Sequence, residues 1–232
     1  MRKQGKKYVE ASSKVERNKV YTIDEAIDLV KTTSTTKFDS TVELALRLNL
    51  DPKKADQNLR GSLVLPNGTG KTKRTLVIAK GEAAEAAKAA GADYVGDQDM
   101  IDKIEKENWF DFDVIVATPD MMPLLARLGK ILGPRGLMPN PKTGTVTVNV
   151  KSAIDDIKKG RIEYRADTFG NVHAPIGKTS FTEAQLMDNL NAIVELVQKL
   201  KPAVVKGIYI KNISISTTMG PGIKINVNSF EK

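Results

Sequence analysis

In Thr41-Val42-Glu43-Leu44-Ala45-Leu46-Arg47-Leu48-Asn49-Leu50, Val42, Leu44, Leu46, Leu48 and Leu50 fall on one phase and Thr41, Glu43, Ala45, Arg47 and Asn49 on the other. Successive strand side chains point to opposite faces, so this run reads as a strand with one packed face and one face free for water or a partner. Asp51-Pro52 ends it, and residues 61–65 read as a further short strand. Upstream, Thr22-x-x-Glu25 is a capping box, followed by Ile23, Ala26, Ile27 and Val30 at helical spacing. Before that helix lies a basic segment with weak periodicity, carrying Arg2, Lys3, Lys6, Lys7, Lys14, Arg17 and Lys19, which reads as a partly ordered arm.

Beyond residue 75 the rhythm changes. Leu76-Val77-Ile78-Ala79, Gly91-Ala92-Asp93-Tyr94-Val95 and Val114-Ile115-Val116-Ala117 read as short apolar strands, separated by helices at 82–90 and 99–107 and followed by one at 120–128. Strand–helix alternation of this kind builds an open parallel α/β sheet, whose ligands bind at the carboxyl ends of the strands. A strand at 145–150 and a helix at 152–159 complete this stretch.

The first rhythm then returns. Arg161-Ile162-Glu163-Tyr164-Arg165 alternates, Asp167-Thr168-Phe169-Gly170-Asn171 turns, and Thr182-x-x-Gln185 caps a helix with the stripe Leu186, Leu190, Ile193, Val194, Val197 and Leu200, ended by Pro202. The last strands carry Ile208 and Ile210, then Ile213 and Ile215, and the phase slip at Lys211-Asn212 predicts a bulge. The fold expected is a discontinuous two-domain protein, α/β and α+β. An outer α+β domain with a split sheet comes from both chain ends, at 1–67 and 160–232, with a Rossmann-like parallel α/β domain inserted at 68–159. The two crossings, near Pro66-Asn67-Gly68 and Lys159-Gly160, are the expected hinge.

The formal charge is +8 and the pI about 9.4, which bears on partners rather than fold. From Asp93 to Asp120 nine acids face only Lys103 and Lys106, whereas from Met121 to Ile154 there are five cations and no acid. Such segregation suits a protein with one face for polyanions. The chain has no Cys, so disulfides and thiol nucleophiles are excluded. No apolar run approaches the roughly 20 residues of a membrane span, and the basic N-terminus lacks the apolar core of a signal peptide. A cytosolic protein is the expectation.

Gly68-Thr69-Gly70-Lys71-Thr72 ends like a P-loop, but the first Gly of that motif would fall at Leu65, and a strand rather than a helix follows. A hinge turn is the better reading. His173 is the lone histidine, and the pairs Asp111/Asp113 and Asp155/Asp156 sit at the edges of regular elements, where caps and solvated charge are common. No nucleophile stands beside a base and an orienter, so neither catalysis, a metal nor a cofactor is expected. The rival reading is a nucleotide-binding or enzymatic α/β protein that uses the inserted domain.

Two stretches of the outer domain put hydroxyls beside one apolar residue: Lys37-Phe38-Asp39-Ser40-Thr41-Val42-Glu43 and Thr217-Thr218-Met219-Gly220-Pro221-Gly222. An exposed Phe or Met can lie against a ribose or base while Ser and Thr reach a phosphate or the 2′-OH. Alternatively Phe38 and Met219 are core residues at strand ends and Gly-Pro-Gly is only a turn. The middle domain carries a third stretch, Gly129-Lys130-Ile131-Leu132-Gly133-Pro134-Arg135-Gly136-Leu137-Met138-Pro139-Asn140-Pro141-Lys142-Thr143-Gly144. Its Gly and Pro residues stop helix and strand alike, Ile131, Leu132, Leu137 and Met138 can anchor it, and its charges are all positive. It is either a loop for an anionic partner or an ordinary solvated connection.

Leu132-Gly133-Pro134-Arg135-Gly136-Leu137-Met138-Pro139-Asn140-Pro141-Lys142 resembles the signature loop of the ribosomal protein L1 family in its bacterial type, and the resemblance runs nearly end to end. It implies the same two-domain division, with the outer domain as main RNA binder, and no enzymatic activity. It also implies RNA contacts at Lys37, Phe38, Thr41 and Glu43, and at Thr217, Thr218, Met219 and Gly220. Gly170 and His173 match a neighbouring stretch, and Arg135, Gly136 and Lys142 a secondary contact loop. The implied partners are large-subunit ribosomal RNA at the mobile stalk, exit-site transfer RNA whose release the stalk assists, and the messenger of the protein's own operon, which it represses. The implied setting is the ribosome in the cytoplasm, with a monomer outside it.

Overall fold

A computed structural model of the chain describes residues 5–230, so Arg2 and Lys3 of the expected arm lie outside the described residues. The chain divides into two compact units, Met1–Gly70 with Ile162–Lys232, and Lys71–Arg161. It begins with helices α1 (Lys6–Ser13) and α2 (Ile23–Thr32) and strands β1 (Thr41–Leu48) and β2 (Arg60–Val64). Next come β3 (Thr75–Ile78), α3 (Glu82–Ala89), β4 (Tyr94–Gly96), α4 (Gln98–Glu107) and β5 (Val114–Ala117). Short helices α5 (Met122–Leu125) and α6 (Gly129–Leu132) lead to α7 (Val150–Lys158). The return passes through β6 (Arg161–Arg165), β7 (Asn171–Lys178), α8 (Glu183–Lys199), β8 (Ile210–Thr217) and β9 (Ile223–Ile225).

The outer unit is built on an antiparallel sheet in the order β7-β1-β8-β9. Alternation sends Val42, Leu44, Leu46 and Leu48 of β1 to one face, where Val172, Ile176, Ile213, Ile215, Ile223 and Ile225 join them in the core. Helices α2 and α8 cover that face, burying Ala26, Ile27 and Val30 and then Leu186, Leu190, Ile193, Val194 and Val197. Both begin with the capping boxes written in the sequence, Thr22 with Glu25 and Thr182 with Gln185. Within the α8 stripe sits one buried amide, Asn189. Its nitrogen donates to the carbonyls of Gly68 (3.0 Å) and Ile176 (2.7 Å), and its oxygen accepts from the Asn67 N–H (3.0 Å). Strands β2 and β6 form a separate two-stranded sheet.

The inner unit holds a parallel sheet in the order β4-β3-β5. Leu76 and Ile78 of β3 pack with Ile101 and Ile104 of α4 and with Met121, Leu125, Leu128 and Leu132. Val77 packs the other way, with Ala87 of α3 and Val150, Ala153, Ile154 and Ile157 of α7. Helices on both faces are why these strands read as unbroken apolar runs.

Several details differ from the sequence reading. The segment before Lys19 contains helix α1, which buries only Ala11 and so leaves little periodicity to read. The strand expected at 145–150 is reduced to a single bridge between Val146 and Ala117. Asn149 caps the Ser152 N–H there and starts α7, leaving Val148 exposed. The helix expected at 120–128 is a succession of short helical turns with prolines at 119 and 123. Leu200 is the C-cap of α8 and is exposed rather than part of the buried stripe. Ile208 is exposed ahead of β8. The bulge itself is present: Arg47 pairs with Asn212 and Leu48 with Ile210, so Lys211 is the extra residue. Strand β7 was not legible because it carries Pro175, and it sits at the sheet edge, where a missing N–H is tolerated.

Candidate nucleic-acid interface

The face of the outer sheet away from α2 and α8 is polar and set by register. Glu43 lies between Pro175 and Ser216, Ala45 between His173 and Ser214, and Arg47 between Asn171 and Asn212. Ser214 in turn faces Lys224. Small side chains along the middle of this face allow a backbone or groove wall to come close, with Glu43, Arg47, His173 and Lys224 exposed around them. Arg47, Lys37, Lys211 and Lys224 make no ion pair among the described residues.

Phe38 and Met219 stand at one end of this face, 59% and 75% exposed. They share that end because β1 and β8 are antiparallel, so the residues before β1 and after β8 are neighbours. The Thr41 N–H donates to the Thr218 hydroxyl (3.2 Å) and the Thr218 N–H to the Thr41 carbonyl (3.0 Å). Met219 lies in the left-handed region at φ 69°, a conformation worth about 1–2 kcal/mol against any residue with a Cβ. Its turn closes through the Gly220 N–H to the Thr217 carbonyl (2.9 Å). A Cβ on Gly220 would collide with the Thr217 hydroxyl oxygen, so a larger residue there would have to displace that buried side chain.

The Phe38 segment is fixed by its neighbour. One carboxylate oxygen of Asp39 accepts from the Thr179 hydroxyl (2.9 Å) and the Ser180 N–H (3.1 Å), and the other from the Ser180 hydroxyl (2.8 Å). The Ser180 hydroxyl, with help from Thr179, holds the Asp39 carboxyl below its usual range, because these donors favour the ionised form. Lys178 Nζ adds a bond to the Thr41 hydroxyl (2.9 Å). The backbone that carries Phe38 is therefore tied down while the ring stays in solvent.

Of the outer-domain residues expected at the site, Lys37, Phe38, Thr41, Glu43, His173, Thr218 and Met219 belong to this face or its end. Thr217 does not: it continues the inward phase of Ile213 and Ile215 and is buried. Gly170 is buried as well. At φ 78° its carbonyl accepts from the Leu48 N–H (2.9 Å), and a Cβ would come within 3.1 Å of two backbone oxygens. Both residues shape the backbone instead of presenting a side chain. The sequence reading missed Ser214, Ser216 and Lys224, although the alternation of Ile213, Ile215, Ile223 and Ile225 already places them outward.

In the inner unit, Leu132 is buried and Ile131, Leu137 and Met138 pack on the same core, anchoring the cationic loop. The Arg135 guanidinium lies 3.6 Å from the centre of the Phe110 ring, an arrangement that orients a cation without neutralising it. Gly136 stands beside it in open space at φ 70°. Asn140 closes the next turn through its N–H to the Thr145 hydroxyl and its side-chain oxygen to the Lys142 N–H, both 2.8 Å, leaving Lys142 exposed. The loop returns to the carboxyl end of β5, where the Ala117 N–H donates to the Thr145 carbonyl (2.9 Å). The P-loop-like run at 68–72 leads into β3 and not into a helix, so the dipole and N–H groups of a phosphate cradle are missing there.

A family model described as the Ribosomal protein L1p/L10e family matches residues 30–221. The match spans the Phe38 segment, Thr41 with Thr218, Met219 and the whole inner unit.

Proposed function

The chain belongs to the ribosomal protein L1 family and is thereby a ribosomal RNA-binding structural protein, and we propose that the open face of its β7-β1-β8-β9 sheet holds the RNA. The observation that carries this reading is the exposure of Phe38 and Met219 at one end of a hydroxyl-lined face, both on backbone fixed by hydrogen bonds. A-form RNA is read through its wide minor groove and its 2′-hydroxyls, which suits small hydroxyl side chains and a low, flat surface. Thr41, Thr218, Ser214 and Ser216 meet ribose hydroxyls, Glu43 and His173 meet ribose or base edges, and Phe38 and Met219 lie against sugar or base. Thr217, Gly170 and Gly220 hold the backbone that presents them. Lys37, Arg47 and Lys224 face phosphates, so affinity falls as salt rises.

In this reading the outer domain is the main binder of a folded segment of large-subunit ribosomal RNA at the mobile stalk near the exit site for transfer RNA. The loop carrying Arg135, Gly136 and Lys142 makes a secondary contact. The protein is a cytoplasmic monomer until it joins the ribosome, helps release deacylated transfer RNA, and represses its own messenger by binding a copy of the same RNA shape. Exposed cations with no ion pair among the described residues, beside a hydroxyl-lined face, support a partner recognised by its backbone shape in either transcript.

Thr218→Ala and Met219→Ala test the site. Each should raise Kd for a large-subunit ribosomal RNA transcript by roughly tenfold, ~1.4 kcal/mol, in a filter assay at moderate salt, with circular dichroism unchanged. Parent-like binding by both variants rejects the assignment.

A further inference from the structure

Two phenylalanine rings are exposed among the described residues, those of Phe38 and Phe169, the latter at 79%. Phe38 precedes β1 and Phe169 precedes β7, and because these strands run antiparallel the rings stand at opposite ends of the same sheet. Eight residues of β1 separate them, about 25 Å at the rise of an extended strand. The first ring belongs to the surface proposed above; the second has no role in it.

Phe169 is held as firmly as its counterpart. One Asp167 carboxylate oxygen accepts from the Phe169 N–H (2.8 Å) and the Asn171 N–H (2.7 Å), and the other from the Asn171 side-chain amide (2.9 Å). Gly170 joins the turn to β1 through the Leu48 N–H. The turn backbone is tied down and its ring is left in water, an arrangement that lowers the backbone ordering required when a planar partner binds. Beside the turn an open cleft of about 440 Å³ is lined by Pro52, Asn58, Arg165, Ala166, Asp167 and Thr168, within the size range of small-ligand sites. Arg165 makes no ion pair among the described residues.

The charge around this end is cationic. Arg47 is paired across from Asn171, Lys211 is the bulge residue next to Leu48, and Lys53, Lys54 and Arg165 are exposed nearby in the chain. Against them stand Asp51, Asp56 and Asp167, the last an ionised carboxylate held by the neutral N–H donors of its own turn, so the cations still outnumber the acids.

We infer that Phe169 and the adjoining cleft form a second RNA subsite that takes an unpaired nucleobase: the ring stacks on the base, and Asn58 and Arg165 address its edge. Arg47 and Lys211 meet the flanking phosphates. Unpaired bases are recognised in this way, by stacking on an aromatic side chain and hydrogen bonds to the exposed edge. The inference rests on the RNA-binding reading of the sheet face and extends it by one base-recognising pocket.

The test uses the full chain and a transcript of the large-subunit ribosomal RNA from the organism that encodes it. Phe169→Ala and Phe169→Leu should raise Kd by roughly five- to 100-fold, the range for loss of one stacked base, while Phe169→Tyr stays within twofold of the parent. In a Trp109→Phe background, Phe169→Trp leaves one indole in the chain, and its emission should be quenched on RNA addition. Parent-like binding by Phe169→Ala and Phe169→Leu overturns this inference alone, as does weakened binding with no change in indole emission. A parent protein that fails to bind the transcript overturns the reading of the sheet face, and this subsite with it.

Discussion

Thr41 and Thr218 close the end of the outer sheet by a reciprocal pair: the Thr41 N–H donates to the Thr218 hydroxyl, and the Thr218 N–H donates to the Thr41 carbonyl. The hydroxyl is therefore a structural acceptor as well as a candidate RNA contact. Thr218→Val keeps the shape and removes the acceptor, and should lose about 1 kcal/mol of stability together with RNA affinity. Thr218→Ser should retain both. Urea unfolding and filter binding on the two variants check this, and a Val variant that binds RNA like the parent would remove Thr218 from the site.

Met219 offers a way to separate backbone from side chain. Both Met219→Gly and Met219→Ala delete the thioether, but only Gly relaxes the left-handed backbone. The Gly variant should be the more stable of the two by about 1 kcal/mol, while both lose RNA binding to the same degree. If Met219→Gly unfolds at the same urea concentration as Met219→Ala, the conformation carries no strain. If either binds RNA like the parent, the Met side chain is not a contact.

Asp39 gives the Phe38 segment a pH dependence. Its carboxyl titrates lower in the folded chain than in the unfolded one, so its contribution is complete above the unfolded value of about 3.9 and disappears as pH falls through the folded value. Asp39→Asn should melt below the parent at pH 7, and the gap should close as the pH is taken below about 4. A gap that widens in acid would contradict the assignment. At pH 7 the same variant should also bind RNA more weakly, because Phe38 loses its support.

Asn189 is a buried amide whose side chain hydrogen-bonds to main-chain groups, the Asn67 N–H and the Gly68 and Ile176 carbonyls. Asn189→Leu strands the Asn67 N–H and the Gly68 and Ile176 carbonyls, each at about 1–3 kcal/mol if it stays dry. A loss of about 3 kcal/mol or more in urea unfolding is expected, and a variant within 1 kcal/mol of the parent would show that water replaces the amide.

The elements legible in the sequence were those specified locally. Capping boxes at Thr22 and Thr182, the two-residue period of β1 and the slip at Lys211 each need only neighbours along the chain. β7 was hidden because Pro175 argues against a strand unless the strand is known to lie at an edge, which is a property of the whole sheet. Local sequence does not fix the burial of Phe38 and Met219 for the same reason: a residue just beyond a strand is core or surface according to what the other elements cover. Thr217 is a different case, since the phase of Ile213 and Ile215 already sends it inward and Thr218 outward. In the sequence Phe169 reads only as part of a turn; its importance depends on exposure and on the antiparallel pairing that sets it opposite Phe38.

The most direct measurement is a salt titration of RNA binding by the parent and by Phe38→Ala/Met219→Ala, using the large-subunit ribosomal RNA transcript. Neither side chain is charged, so the expected result is a rise in Kd of roughly 100-fold at moderate salt with an unchanged slope of log K against log salt. A double variant that binds within twofold of the parent, or one whose salt slope shifts along with its affinity, would show that the RNA is held elsewhere and by charge.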